Sequence, residues 1–136
     1  MRRSAVMAHK ERQQTMRFMV FIKFSDDVGD PPPELVDAMS KAIGGAFADG
    51  SMVVTGGLYP LSESTEIRVE QDGLTVVDGP YAEAKEVAGG FAIIDVRDQD
   101  EALESARQVA QLHRDHWPAW RGAIEVRRIA GHDDAG

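Results

Sequence analysis

Three stretches of this chain are apolar at consecutive positions, and that pattern limits the possible folds more than any other feature. Phe18-Met19-Val20-Phe21-Ile22, Met52-Val53-Val54 and Phe91-Ala92-Ile93-Ile94 are short runs bounded by charged residues, glycine, serine or threonine. Runs of this length read as strands buried on both faces. An antiparallel sheet with one face in water alternates apolar and polar residues instead. A sheet containing these three strands therefore needs cover on both sides.

The remaining segments supply half of that cover. Pro31-Pro32-Pro33 cannot continue a strand but suits the start of a helix. Leu35, Val36, Met39, Ile43, Ala46 and Phe47 then recur at three- and four-residue spacing, which gives one apolar helical face. Gly50 is placed to cap that helix, and Gly44-Gly45 within it points to close approach of another backbone or to a bend. Residues 51–55 form the second strand, broken by Gly56-Gly57-Leu58-Tyr59-Pro60. Glu66-Ile67-Arg68-Val69-Glu70 alternates strictly, and Asp72-Gly73 is a hairpin turn signal leading into Leu74-Thr75-Val76-Val77. A loop from 78 to 90 precedes the strand 91–96. Asp98 and Glu101 have capping-box spacing ahead of a helix with Ala102, Leu103, Ala106, Val109 and Ala110 on one face. Residues 123–129 close the chain as a last strand.

The order β-α-β, hairpin, β-α-β predicts an α+β fold: a ferredoxin-like antiparallel sheet with two helices on one face. Two helices cover one face only. The other is expected to meet the same face of a second copy, making a homodimer through sheet-to-sheet packing.

At 136 residues the chain has room for one domain. Its expected limits are 16–130, with a basic extension at 1–15 and a short tail at 131–136. Arg2, Arg3, Lys10, Arg12 and Arg17 against Glu11 give residues 1–17 a net charge of +4, although the whole chain carries −8. An acidic body repels phosphate backbones, so no nucleic-acid partner is expected. No apolar run is long enough for a bilayer, and the basic segment lacks the apolar core of a secretory signal. The expectation is a cytoplasmic protein with no membrane partner. The absence of cysteine removes disulfides, thiolate metal sites and cysteine nucleophiles. No nucleotide-binding glycine loop, serine triad or Walker motif occurs, so no cofactor is expected.

Ionisable groups concentrate in one loop, at Asp78, Glu83, Lys85 and Glu86. In one reading Asp78 is a catalytic group at a strand end, its pKa raised by partial burial so that it exchanges protons with a substrate, while Lys85 meets an anionic ligand. In the other, Asp78 fastens the turn that Gly79-Pro80 demands and Lys85 makes a surface ion pair worth about 0–1 kcal/mol. Thr55, Tyr59 and Tyr81 are further ligand-binding candidates, together with Glu83, Lys85 and Glu86. The two tyrosines read equally as packed loop residues with their hydroxyls in water. His113 and His116 are spaced to share a metal on a helix, but two ligands fall short of a zinc site, and His113 continues the apolar face of residues 106–110. Neither is counted as a metal ligand. Trp117 and Trp120 either close the cleft or pad the dimer interface.

The run Asp78-Gly79-Pro80-Tyr81-Ala82-Glu83-Ala84-Lys85-Glu86, followed by Gly89-Gly90-Phe91 and Ile94-Asp95-Val96, resembles the signature of the YCII-related family. Within it the likeness is to the subgroup named for an Asp-Gly-Pro-Phe motif. Gly57, Leu58 and Pro60, the helix opening Asp98, Asp100, Glu101, Ala102 and Leu103, and the closing Val126-Arg127 extend the resemblance over about residues 16–130. It implies a ferredoxin-like protomer assembled as a dimeric α+β barrel. Some relatives resemble lyases that remove chloride from hydroxylated aromatics with a histidine–aspartate pair, and subgroup members are often encoded beside extracytoplasmic-function sigma factors. Tyr81 replaces the motif's phenylalanine here. Residues 34–48 hold no histidine, so the dyad does not carry over. The resemblance and the loop together imply a protein that binds a small metabolite in a cleft beside the Asp78–Tyr81 loop, with weak lyase-type acid–base chemistry at most. The alternative is a non-catalytic regulatory module associated with a sigma factor.

Overall fold

A computed structural model describes residues 15–25, 27–82 and 86–131. The expected extension at 1–15 and tail at 131–136 lie outside them, apart from Thr15 and Gly131. In chain order the elements are β1 (Met16–Phe24), α1 (Pro33–Ala48), β2 (Met52–Gly57), β3 (Thr65–Glu70), β4 (Gly73–Asp78), β5 (Val87–Val96), α2 (Gln99–His116) and β6 (Gly122–Arg128). Four strands form one antiparallel sheet in the order β2-β5-β1-β6, and β3 and β4 pair separately. With the hairpin set aside this is the ferredoxin-like arrangement, with both crossover helices on one face.

Phe18 is the centre of the core. It pairs with Ile94 across β1 and β5, and both point toward the helices together with Val20 and Val96. Ala102 of α2 meets these four with no exposed surface, because a side chain of one carbon lets the helix approach the sheet closely. The N-terminus of α2 is held by the Asp98 carboxylate, which accepts from the Glu101 N–H at 2.9 Å. Glu101 does not complete the capping box. Its carboxylate takes Arg97 at 2.7 Å instead.

Helix α1 starts at Pro33, as the proline run predicts. It ends on Gly50 at φ +85°, with the Ser51 N–H donating to the Ala46 carbonyl and the Gly50 N–H to that of Phe47. Its expected apolar face is only partly used. Leu35 is buried, Met39, Ile43 and Ala46 are half-buried, and Val36 and Phe47 remain about half exposed. No atom other than the helix's own backbone comes within 4 Å of where a Cβ on Gly44 or Gly45 would sit. The close approach expected there is absent.

Two strands run further than their sequences indicate. β2 continues through Gly56-Gly57, and β5 begins at Val87, because Gly56 pairs with Phe91 and Gly57 with Gly90 in the ladder. Backbone pairing outweighs the weak strand preference of glycine at these positions. The hairpin turns at Gln71-Asp72, with Gly73 at φ +146° opening β4. Ile67 pairs with Val76 and Val69 with Leu74, and all four side chains are two-thirds or more exposed.

The sheet face away from the helices carries Met19 and Phe21 of β1, Phe91 and Ile93 of β5 and Val54 of β2, flanked by ionic pairs. Lys23 Nζ lies 2.9 Å from Glu125 Oε1, Arg127 bonds to the same carboxylate, and the Arg127 guanidinium sits 5.7 Å from the centre of the Phe21 ring. Contact with Glu125 raises the Lys23 pKa, and Lys23 and Arg127 together lower that of Glu125. No helix among the described residues is long and apolar enough to cross a membrane.

Gly44 is a helix-interior glycine with open space around it, so Gly44→Ala should stabilise the fold by about 0.5–1 kcal/mol. Thermal unfolding would show a midpoint raised by a few degrees; a lowered midpoint would contradict the open packing of α1.

Candidate functional site

Side chains facing the helices shrink steadily along β5, from Val96 and Ile94 to Ala92 and Gly90. At the large end α2 packs directly on the sheet. At the small end the helices and sheet separate around a cavity of about 590 Å³. Its floor is Ile22, Ala92, Gly57 and Gly90, and its walls are Met39, Ile43 and Ala46 of α1 with Ser105, Val109 and Leu112 of α2. A Cβ on Gly57 would meet nothing closer than 4.0 Å, and one on Gly90 would meet Ile22 at 3.5 Å. These glycines are not forced by a clash; their missing side chains are cavity space. The volume lies within the range of small-molecule sites, and the lining is predominantly apolar, as such sites are.

A few polar groups converge on this cleft. Asp49 caps α1 and accepts from the Ser51 N–H at 2.9 Å and the Ser51 hydroxyl at 2.6 Å. Those two donors hold the Asp49 carboxyl below its ordinary 3.8. Thr55 donates its hydroxyl to the Phe91 carbonyl at 2.8 Å, across the β2–β5 ladder. Ser105 and Gln108 line the α2 wall.

The Asp78–Tyr81 loop is a separate construction. The Asp78 carboxylate accepts from the Thr65 hydroxyl at 3.1 Å across the base of the hairpin. The Gly79 N–H donates to the Ser64 carbonyl at 2.7 Å, and the peptide between Gly79 and Pro80 is cis. Any Cβ at position 79 would collide with the Leu61 carbonyl, so this position admits only glycine. Tyr81 places its hydroxyl 2.9 Å from that of Ser64 and its ring 5.8 Å from the Arg68 guanidinium. These contacts tie the segment after β4 to Ser64 and the start of β3, closing the base of the hairpin. Asp78 is exposed, Tyr59 is 86% exposed, and Glu86 is exposed close enough to Lys23 to raise its pKa slightly. Glu83 and Lys85 lie outside the described residues. Of the sequence-derived candidates, Thr55 lines the cleft; Asp78, Tyr59, Tyr81 and Glu86 do not.

His113 is buried, with Nδ1 2.9 Å from the Val109 carbonyl of its own helix. Trp120 packs 4.6 Å from the His113 ring and edge-on to Phe24 at 6.4 Å. Phe24 in turn fills the space above Gly89, and Trp120 the space above Gly122. Trp117 is buried beside the end of α2, so both tryptophans seal the join between α2 and β6. No group of three or more histidine, aspartate or glutamate side chains that could hold a metal occurs among the described residues. Asp49, Ser51, Ser105 and Gln108 were not legible as site residues. The usable signal was the pair of Gly-Gly steps at 56–57 and 89–90, which neighbouring strands bring side by side.

The YCII-related domain matches residues 16–130, which is the whole folded unit from the first strand through the last. The chain belongs to the YCII-related family. An uncharacterized protein of Rhizobium meliloti (strain 1021) is 37% identical over 73 residues, which is 54% of this chain. The chain covers 55% of that relative's length, about half. In this YCII-related protein the signature segment from Asp78 to Tyr81 builds the hairpin's attachment, and the open cleft lies on the other side of β2 and β5 from the hydrophobic sheet face.

The Asp49–Ser51 contact gives a pH signature. A carboxyl whose folded pKa is depressed contributes stability above 3.8, and that contribution is lost as the pH falls through the lowered value. The Ser51 amide resonance should therefore stay constant through neutral and mildly acid pH and shift with a midpoint below 3.8. A midpoint at or above 3.8 would show that the clasp does not form.

Proposed function

We propose that this YCII-related protein binds a small, largely apolar metabolite in the cleft between sheet and helices, and that it does so as a homodimer. The observation that carries the reading is the 590 Å³ cavity, which opens where Gly57 and Gly90 leave the sheet bare and α1 stands off it. A well-packed domain closes such a space, because interiors approach crystal density and few voids exceed a water molecule. Proton transfer at Asp78 is not part of this reading. The Asp78 carboxylate is engaged by Thr65 and does not line the cleft.

Dimerisation follows from the other sheet face. Met19, Phe21, Phe91, Ile93 and Val54 form a contiguous apolar band with no second layer over it among the described residues, and the Lys23–Glu125–Arg127 group borders the band. Charge at the rim with aromatic and aliphatic groups at the centre is the anatomy of a protein interface. A second reading, a module acting through contact with a different protein such as a sigma factor, is favoured by the apolar hairpin face of Ile67, Val69, Leu74 and Val76.

Occupancy of the cleft is tested with N-phenylnaphthylamine, a neutral dye that fluoresces in apolar surroundings. Saturable fluorescence is expected, with loss in Gly90→Val and Gly57→Leu, whose Cβ atoms would sit 3.5 and 4.0 Å from their nearest neighbours. Undiminished dye binding by both folded variants would place the dye elsewhere and remove the cleft as the site.

In sizing experiments the protein should elute at twice its 14.9 kDa chain mass. Phe21→Asp should yield monomer and Val69→Lys should not. A monomeric parent protein would refute the dimer, and dissociation by Val69→Lys alone would transfer the interface to the hairpin.

A further inference from the structure

The polar end of the cleft has a definite sign, and from it we infer that the ligand carries a hydrogen-bond-donating head, a protonated amine or a hydroxyl, and not a carboxylate or phosphate. This inference rests on the cleft being the binding site. Asp49 is the one formally charged group among the described residues lining it. Its lowered pKa keeps it a carboxylate, which accepts hydrogen bonds and donates none. The Ser51 hydroxyl spends its proton on Asp49 at 2.6 Å, and the Thr55 hydroxyl spends its own on the Phe91 carbonyl at 2.8 Å. Each oxygen is left with lone pairs only, so both present themselves as acceptors.

Helix geometry adds to the same sign. Asp49 stands at the C-terminal end of α1, the negative end of the helix dipole. A carboxylate there opposes the helix dipole, and the two bonds from Ser51 offset that cost. The Asp49 carboxylate, the Ser51 oxygen beside it and the helix C-terminus stand together at one end of the apolar cavity, with the Thr55 oxygen further along β2, so the lining repels an anion and attracts a donor. Ser105 and Gln108, on the opposite wall, are the donors that remain and carry no charge. The cleft thus selects an amphipathic molecule with an apolar body seated over Gly57 and Gly90 and a donating head at Asp49.

The sign shows directly in a matched series of one apolar body with three heads: phenylpropylamine, phenylpropanol and phenylpropionate. Binding to the full-length protein is followed by amide shifts of Asp49, Ser51 and Thr55 at neutral pH. The amine should bind about tenfold or more tightly than the carboxylate, the magnitude of one charge-assisted contact, with the alcohol between them. Asp49→Asn should erase the preference for amine over carboxylate. Equal or tighter binding of the carboxylate by the parent protein overturns the inference. If the neutral dye also fails to bind, the cleft itself is not a site and the broader reading falls. If the dye binds and the carboxylate equals the amine, only the charge selection falls.

Discussion

The graded loss of side-chain volume along β5 is the constraint on which the rest of the molecule depends. Val96 and Ile94 fill the space beneath α2 together with Phe18 and Val20, and Ala102 lets the helix descend onto them. Burying a side chain such as Phe18 contributes about 1.5–3 kcal/mol. This end of the sheet therefore holds the buried core. Two and four residues further back along the same face, Ala92 and Gly90 offer almost nothing to pack against. Helices are stiff, so α1 and α2 cannot bend to follow a floor that drops away. A wedge opens between them and the sheet.

Stability and opening are thus separated along one strand pair. The core sits at the Val96 end, and the aromatic group of Phe24, Trp120 and His113 closes the join between β1, β6 and the end of α2. The cleft lies between these two packed regions and takes little part in either. That division explains why α1 buries only Leu35 fully and leaves Val36 and Phe47 half exposed. It also explains how glycines at 57 and 90 are compatible with a stable sheet. Their ladder hydrogen bonds persist, and only their packing is given up.

The ionisable loop belongs to a different economy. Asp78, Gly79 and Tyr81 each find a partner in the segment Leu61–Thr65, through a carboxylate–hydroxyl bond, a backbone bond and a hydroxyl pair. A two-stranded hairpin is marginal in water without further support. Fastening its base in three places holds β3 and β4 in register while they stand away from the main sheet. Of the two readings open for Asp78 from sequence, these contacts fit the one in which it secures the turn.

Periodicity, caps and turn chemistry in the sequence were sufficient for the ferredoxin-like order. They are local signals: the proline start and Gly50 stop of α1, the Asp98 cap of α2, and the turn before Gly73 all act within a few residues of themselves. The consecutive apolar runs at 18–22 and 91–94 likewise determined that apolar side chains stand on both faces of the sheet, because side-chain direction in a strand alternates whatever its neighbours do. The cleft could not be read in that way. Gly56-Gly57 and Gly89-Gly90 look like breaks in isolation, and become a cavity floor only when the β2–β5 register sets Gly57 beside Gly90. Asp49 looks like an ordinary helix-end residue until the tertiary structure turns it, Ser51 and Thr55 toward one space. Local sequence determined the elements and their order; only the long-range pairing of strands decided where side chains would be missing, and a binding site is made of that absence.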